Sequence, residues 1–146
     1  MKTKSKGIIL DSNALIAFFN PSDSLHKHAI ALLQDIEFQT KIINDLIFAE
    51  VGTVLLMKTK DLLFVSNILE KLFNNKARHT QVILCTKVFL SQILDIFSHQ
   101  QSPQLSFEDC SVVALARTLK IRKIVTFDKA IRKTFATEFE FLPKNI

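Results

Sequence analysis

Tryptophan and tyrosine are absent from this 146-residue chain, and glycine, proline and cysteine are scarce at two, three and two residues. Without Trp or Tyr, aromatic contact falls to thirteen Phe and four His, a poor set for reading bases. Phe18, Phe48, Phe89 and Phe97 lie on apolar helical faces and are expected in the core. Core packing is also favoured over base stacking for Phe107 and Phe127. His26, His28, His79 and His99 form no i, i+4 pair, which argues against zinc and places them at the surface. Cys85 and Cys110 lack the paired spacing of a zinc site and the density of a disulfide scaffold. They suit a reducing cytoplasm and read as small core residues without a catalytic role.

With so little Gly and Pro the chain carries few breaks, and it shows no internal repeat, low-complexity tract or linker-like change of composition. One domain over residues 1–146 is expected, with a basic tail at 1–6. That tail leads directly into Gly7-Ile8-Ile9-Leu10, without the apolar run and small-residue cleavage site of a signal peptide, so export is not expected. The most apolar stretch, Ile42 to Met57, is interrupted by Asn44, Asp45 and Glu50 and is shorter than the roughly 20 residues that cross a bilayer. No membrane span is expected.

What is present is apolar and basic. A hydrophobic content of 48% is enough for a substantial core at this length. A formal charge of +5 favours a polyanionic partner, nucleic acid first and an anionic membrane second. Gly7-Leu10 reads as a buried strand, with Asn13 capping a short helix through Phe19 that stops at Asn20-Pro21. A helix is predicted from Ser24 to Asp35 and a strand over Lys41-Asn44. Helical spacing of Leu46, Ile47, Val51, Val54 and Leu55 then predicts a helix from about Asp45 to Lys58. Asp61 caps a helix to about Phe73, Gln81-Leu84 is strand-like, and Lys87 to Phe97 is helical, ending at Ser102-Pro103. Ser106 begins a helix to Lys120, Lys123-Phe127 is a strand, Asp128 caps a short helix, and Glu138-Leu142 is a last strand. Strands alternate with helices, which indicates an α/β fold around a parallel sheet.

Four acids occupy informative places in that pattern. Asp11 and Asp128 follow predicted strands, and Asp109 lies in the first turn of a helix, positions that face the carboxyl edge of a parallel sheet, where ligands gather. Each has a structural alternative. Asp128 is a possible N-cap, Ser106-Phe107-Glu108-Asp109 resembles a capping box, and an Asx-turn would explain Asp11, although Asn13 is available for the cap. Glu50 is the hardest to explain structurally: Leu46, Ile47 and Val54 place it on an apolar helical face, where a lone carboxylate must be paired, protonated or bound to a cation. A salt bridge to lysine is the alternative to a metal. A hard divalent ion, Mg²⁺ or Mn²⁺, explains all four acids together, because Mg²⁺ takes one or two carboxylates and keeps several waters. Direct coordination is assigned to Asp11 and Asp109. Glu50 and Asp128 bind directly or through water, with Ser12, Asn13 and Thr126 as supporting hydrogen-bond donors.

The same residues resemble the PIN domain family, in particular the VapC-type toxins of prokaryotic toxin–antitoxin pairs. Ile8-Ile9-Leu10-Asp11-Ser12-Asn13-Ala14-Leu15-Ile16 is similar to the opening strand with its first Asp, and Phe48-Ala49-Glu50-Val51 to the helical Glu motif. Leu105-Ser106-Phe107-Glu108-Asp109 resembles the third motif and Ile124-Val125-Thr126-Phe127-Asp128 the fourth. The four occur in order from Gly7 to Leu142. Cys110 stands where many relatives have Ala, Asn44-Asp45 where Ser or Thr is frequent, and Ile121-Arg122 where a glycine is common; none of these departures removes an acid. The resemblance implies a three-layer α/β/α sandwich and metal-dependent cleavage of single-stranded RNA. It further implies a cognate antitoxin whose tail occupies the active-site groove, and a homodimer.

Hydrolysis by this route needs no nucleophilic side chain, since a bound metal lowers the pKa of water and offsets charge on the phosphate oxygens. Arg117, Lys120, Arg122, Lys123, Lys129, Arg132 and Lys133 make residues 117–133 strongly basic, with Asp128 the sole acid. Arg117, Arg122, Lys123 and Lys129 are expected to bind RNA phosphates, the alternative being a solvated helical face. An aspartate-dependent phosphatase of the haloacid-dehalogenase type is a rival, but Asn13 occupies the position of its second Asp. A non-catalytic RNA-binding or protein-interaction module on the same fold is the other alternative.

Overall fold

The computed structural model describes residues 7–77, 79–102 and 104–145; the expectations for the tail at 1–6 and for Pro103 lie outside them. Five strands are present among the described residues: β1 (Ile8–Leu10), β2 (Lys41–Asn44), β3 (Thr80–Ile83), β4 (Lys123–Val125) and β5 (Glu140–Leu142). They form one parallel sheet in the order β3-β2-β1-β4-β5. The helices are α1 (Ser12–Phe19), α2 (His26–Asp35), α3 (Asp45–Thr59), α4 (Leu62–Phe73), α5 (Lys87–Ser98), α6 (Phe107–Leu119) and α7 (Lys129–Thr134). Successive strand residues point to opposite faces, yet all of β1 and β2 is buried. Both faces of the sheet are therefore covered by helices, as parallel connections require.

Beyond β1 the chain runs outward through β2 and β3, then crosses back to place β4 on the other side of β1. The strand order thus reverses between β1 and β4, and the crevice at the carboxyl ends of this pair is the usual ligand position of such sheets. Asp11 N donates to Val125 O at 2.9 Å across that junction.

Several boundaries differ from expectation for local reasons. The helix expected from Ser24 starts at His26, because Asp23 first makes a turn: its carboxylate accepts from Leu25 N at 2.9 Å. β4 stops at Val125: Thr126 N still donates to Leu142 O at 3.1 Å, but the Thr126 hydroxyl and Phe127 N bond with Asn13. Phe89 is buried and Phe18 and Phe48 pack on the core, but Phe97 is 40% exposed, lying against Phe107 on the outer face of α5. His26, expected at the surface, is half-buried with its ring nitrogen 2.7 Å from Ala17 O. At the amino edge, buried Lys41 directs Nζ to the carbonyls of Ile36, Glu37 and Gln39 at 3.2, 2.9 and 2.9 Å, closing the turn after α2.

Two contacts fix α3, the helix carrying Glu50. Gly52 lies where an added Cβ would come within 2.8 Å of Leu69, so its lack of a side chain lets α4 approach closely. Asn44, fully buried, caps α3 by accepting from Ile47 N at 2.9 Å and donates to Ser111 Oγ on α6 at 3.0 Å.

Candidate active site

Asp11 leaves β1 in extended conformation and becomes the N-cap of α1, a place expected for Asn13. The capping carboxylate is Asp11's own: Oδ1 accepts from Ser12 N at 2.8 Å. Asn13 instead binds the two sides of the switch point together. Its Nδ2 donates to Asp11 Oδ2 at 3.2 Å and Thr126 Oγ1 at 3.0 Å, while its Oδ1 accepts from Phe127 N at 3.0 Å. Thr126 Oγ1 donates to Asp11 Oδ2 at 2.7 Å and accepts from Asp128 N at 3.0 Å. Ser12, Asn13 and Thr126 therefore all surround Asp11.

Asp109 and Asp128 fill their capping roles with one oxygen each. Asp109 Oδ2 accepts from Ser106 N at 2.8 Å and Ser106 Oγ accepts from Asp109 N at 3.0 Å, a reciprocal capping box for α6. Asp128 Oδ1 accepts from Ala130 N and Ile131 N at 2.7 and 3.1 Å, starting α7. Among the described residues the second oxygen of each carboxylate makes no hydrogen bond. Capping and a further role are thus compatible.

Electrostatics tie the acids into one group. Asp11 is 1% exposed, and its pKa is pushed up to about 7, first by desolvation and then by the charges of Asp109 and Glu50, against the hydrogen bonds from Thr126 and Ser12. Glu50 is raised by burial and by Glu108 and Asp109, with Ser12 opposing. Asp109 is raised by burial, then by Asp128 and Glu108, with Ser106 opposing. The salt-bridge alternative for Glu50 fails: among the described residues no Lys, Arg or His pairs with any of the four acids.

This donor set fits a hard, largely hydrated cation. The candidate donors are all carboxylate oxygens that repel one another, and among the described residues no protein cation pairs with them. Among the described residues no three His, Cys, Asp or Glu side chains stand close enough together to hold a metal ion between them, so an ion here would be held by one or two carboxylates and water. Glu108 is a fifth acid that sequence reasoning missed. Its adjacency to Asp109 in the first helical turn was the available signal. The thiols of Cys85 and Cys110 are pushed up to about 12 and about 11, chiefly by burial, which disfavours the reactive thiolate.

The basic run is divided by the sheet. Arg117 sits in the last turn of α6, about 12 Å along the helix from Asp109 at 1.5 Å per residue. Its Nε and Nη2 donate to Glu138 at 2.7 and 2.8 Å, and its guanidinium lies 5.6 Å from the Phe135 ring. Arg122 and Lys123 precede or begin β4, where Arg122 O accepts from Glu140 N at 2.8 Å. These three residues occupy the amino edge, opposite the acids, and do not form the expected track. Lys129 lies on the acidic side, immediately after Asp128.

The PIN domain family model matches residues 8–135 of the chain. Among solved structures, the chain is similar to Mycobacterium tuberculosis VapC20, a sarcin-ricin loop cleaving toxin, with a TM-score of 0.75 and 17% sequence identity over 87% of this chain and 94% of that one. At that identity the likeness bears on the fold. No curated protein matches the chain.

Proposed function

The chain belongs to the PIN domain family, and from that premise we propose that it is a metal-dependent endoribonuclease cutting single-stranded RNA, the toxin of a type II toxin–antitoxin pair. The observation that carries this reading is the group of four carboxylates towards the carboxyl edge of the sheet, of which Asp11, Glu50 and Asp109 are raised in pKa, with no protein cation paired to any of the four among the described residues.

Asp11 and Asp109 are assigned as direct ligands of Mg²⁺ or Mn²⁺, with Glu50 and Asp128 binding directly or through water. When bound, the ion lowers the pKa of a water molecule and offsets charge developing on the phosphate oxygens. Thr126 and Asn13 hold Asp11 Oδ2, and Ser12 holds Oδ1, so the carboxylate plane is set before substrate arrives. Ser106 fixes Asp109 through one oxygen and leaves the other for the ion. Lys129 is assigned to RNA phosphate binding beside the site.

The partners that follow are RNA, a cognate antitoxin and a second copy of the chain, in the cytoplasm. Exposed apolar side chains support protein partners: Met57, Leu62 and Leu63 near the α3/α4 turn are 71%, 66% and 73% exposed. Among the described residues no helix is long and apolar enough to cross a membrane.

Expression in a bacterial host is expected to arrest growth, and Asp109→Asn to relieve the arrest. A harmless wild type that still cuts RNA in vitro would remove the toxin assignment alone. Arrest that persists with soluble Asp109→Asn would favour the non-catalytic binding module, because a folded surface can sequester a partner without a metal.

A further inference from the structure

Beside the acidic edge lies an open basin of about 730 Å³ lined by Lys129, Arg132, Lys133, Lys144 and Asn145. Four of these five residues are cationic, and none is acidic or apolar. Arg132 is held in place by backbone: Nη1 donates to Thr126 O at 3.0 Å, and Nη2 to Pro143 O and, at 3.4 Å, to Lys144 O. Its guanidinium also lies 5.8 Å from the Phe141 ring. Thr126 is the residue whose hydroxyl bonds Asp11, so the fixed charge of the basin is one residue away from the proposed metal ligand. Lys129 and Lys133 are exposed one turn apart on α7, about 6 Å along the axis. Lys144 enters from beyond β5 with a loose pairing to Glu140 at 3.9 Å.

We propose that this basin seats the backbone phosphates of single-stranded RNA on one side of the scissile bond. Lys129, Lys133 and Lys144 supply mobile contacts, and Arg132 supplies a fixed positive centre. The proposal rests on the nuclease reading above and adds the path of the strand. A polyanion approaching a crowded carboxylate group needs adjacent positive charge, and on the acidic side this basin provides it. The lining also favours nucleic acid over a protein tail, because none of its five residues is the aromatic or aliphatic kind that walls a pocket for a peptide anchor. The basic residues at the amino edge cannot serve, since the sheet separates them from the acids.

Two double variants that remove the same charge separate a phosphate seat from a net-charge effect: Lys133→Ala with Lys144→Ala, and Arg122→Ala with Lys123→Ala. Binding of a labelled single-stranded oligoribonucleotide is followed by fluorescence anisotropy over a range of salt, without divalent metal, in an Asp109→Asn background. The basin pair is expected to weaken binding about tenfold and to flatten the slope of log K against log salt by about 1.4, as loss of two single-strand phosphate contacts requires. The amino-edge pair is expected to stay within about twofold of its parent. Equal effects of the two pairs overturn the proposal. So does displacement of RNA from the basin by an oligoglutamate peptide of equal or higher affinity, which would reassign the surface to an acidic protein. Cleavage by the otherwise unaltered chain with Mn²⁺ is scored separately. Cleavage with an unchanged slope in the basin pair overturns the basin alone; a flattened slope without cleavage leaves the phosphate seat supported and removes the nuclease reading.

Discussion

At Asp11, burial and hydrogen bonding act in opposite directions. Desolvation and the charges of Asp109 and Glu50 prevail over Thr126 and Ser12, giving a folded pKa of about 7 against an ordinary value of 3.8. In that interval the folded chain holds a proton that the unfolded chain has lost. The resulting stabilisation is complete below about pH 4 and disappears as pH rises through 7, by at most about 1.4 kcal/mol per unit. Glu50 and Asp109, also raised, act with the same sign. Glu138, lowered by Arg117, acts with the opposite sign, and its contribution is lost below its ordinary value of 4.5, outside this window. The melting temperature in EDTA is therefore expected to fall between pH 5 and 7, roughly the window set by this linkage, and Mn²⁺ to restore it at the upper end. A profile that is flat or rises, with no response to Mn²⁺, would contradict this account of Asp11. The hydrogen bonds also decide which substitution is clean. Both oxygens of Asp11 accept donors, so Asp11→Asn forces an amide against one of them. Asp109→Asn keeps the oxygen that accepts from Ser106 and changes the unbonded one.

At the scale of elements, Glu50 and Asp109 are placed near each other because α3 and α6 are joined through a buried polar contact. Asn44 caps α3 and reaches Ser111 Oγ, which donates to Glu108 O at 2.6 Å in the acid-bearing turn of α6. Asn44→Ala removes a cap and leaves a buried hydroxyl short of a partner, for an expected loss of about 2–4 kcal/mol. Urea unfolding of Asn44→Ala, Ser111→Ala and the double variant is expected to show a coupling of at least about 0.5 kcal/mol. Strict additivity would mean that the contact does not join the helices. The elements themselves were largely legible: short apolar runs located the five strands found among the described residues, helical periodicity the segments 45–58 and 87–97, and the caps at Asp61, Ser106 and Asp128 are where the residue types implied. The cap of α1 was not, because Asp11 and Asn13 are both competent caps and the choice depends on Thr126, distant in sequence. The Asn44–Ser111 contact was invisible for the same reason, joining residues 67 positions apart.

At the scale of the molecule, adjacency in sequence and adjacency in space part company around β4. Residues 117–133 read as one basic run, but a strand carries the chain about 3.3 Å per residue from one edge of the sheet to the other. Arg117, Arg122 and Lys123 consequently remain at the amino edge, while Lys129, Arg132 and Lys133 emerge beside the acids and meet Lys144. That Asp11, Glu50, Asp109 and Asp128 lie towards one edge and act on one another electrostatically was legible because each is set by a strand end or a helix turn, and parallel topology brings those features to one edge. The central claim is that these carboxylates hold a divalent ion that cuts RNA, and its most direct test is single-turnover cleavage of labelled single-stranded RNA as free Mg²⁺ is raised from an EDTA-treated baseline, for the unaltered chain and for Asp109→Asn. A rate that starts near zero and saturates with Mg²⁺ is expected in the unaltered chain, and one lower by more than about a hundredfold at saturation in Asp109→Asn. Cleavage that ignores EDTA, or that Asp109→Asn performs at the unaltered rate, would contradict that claim.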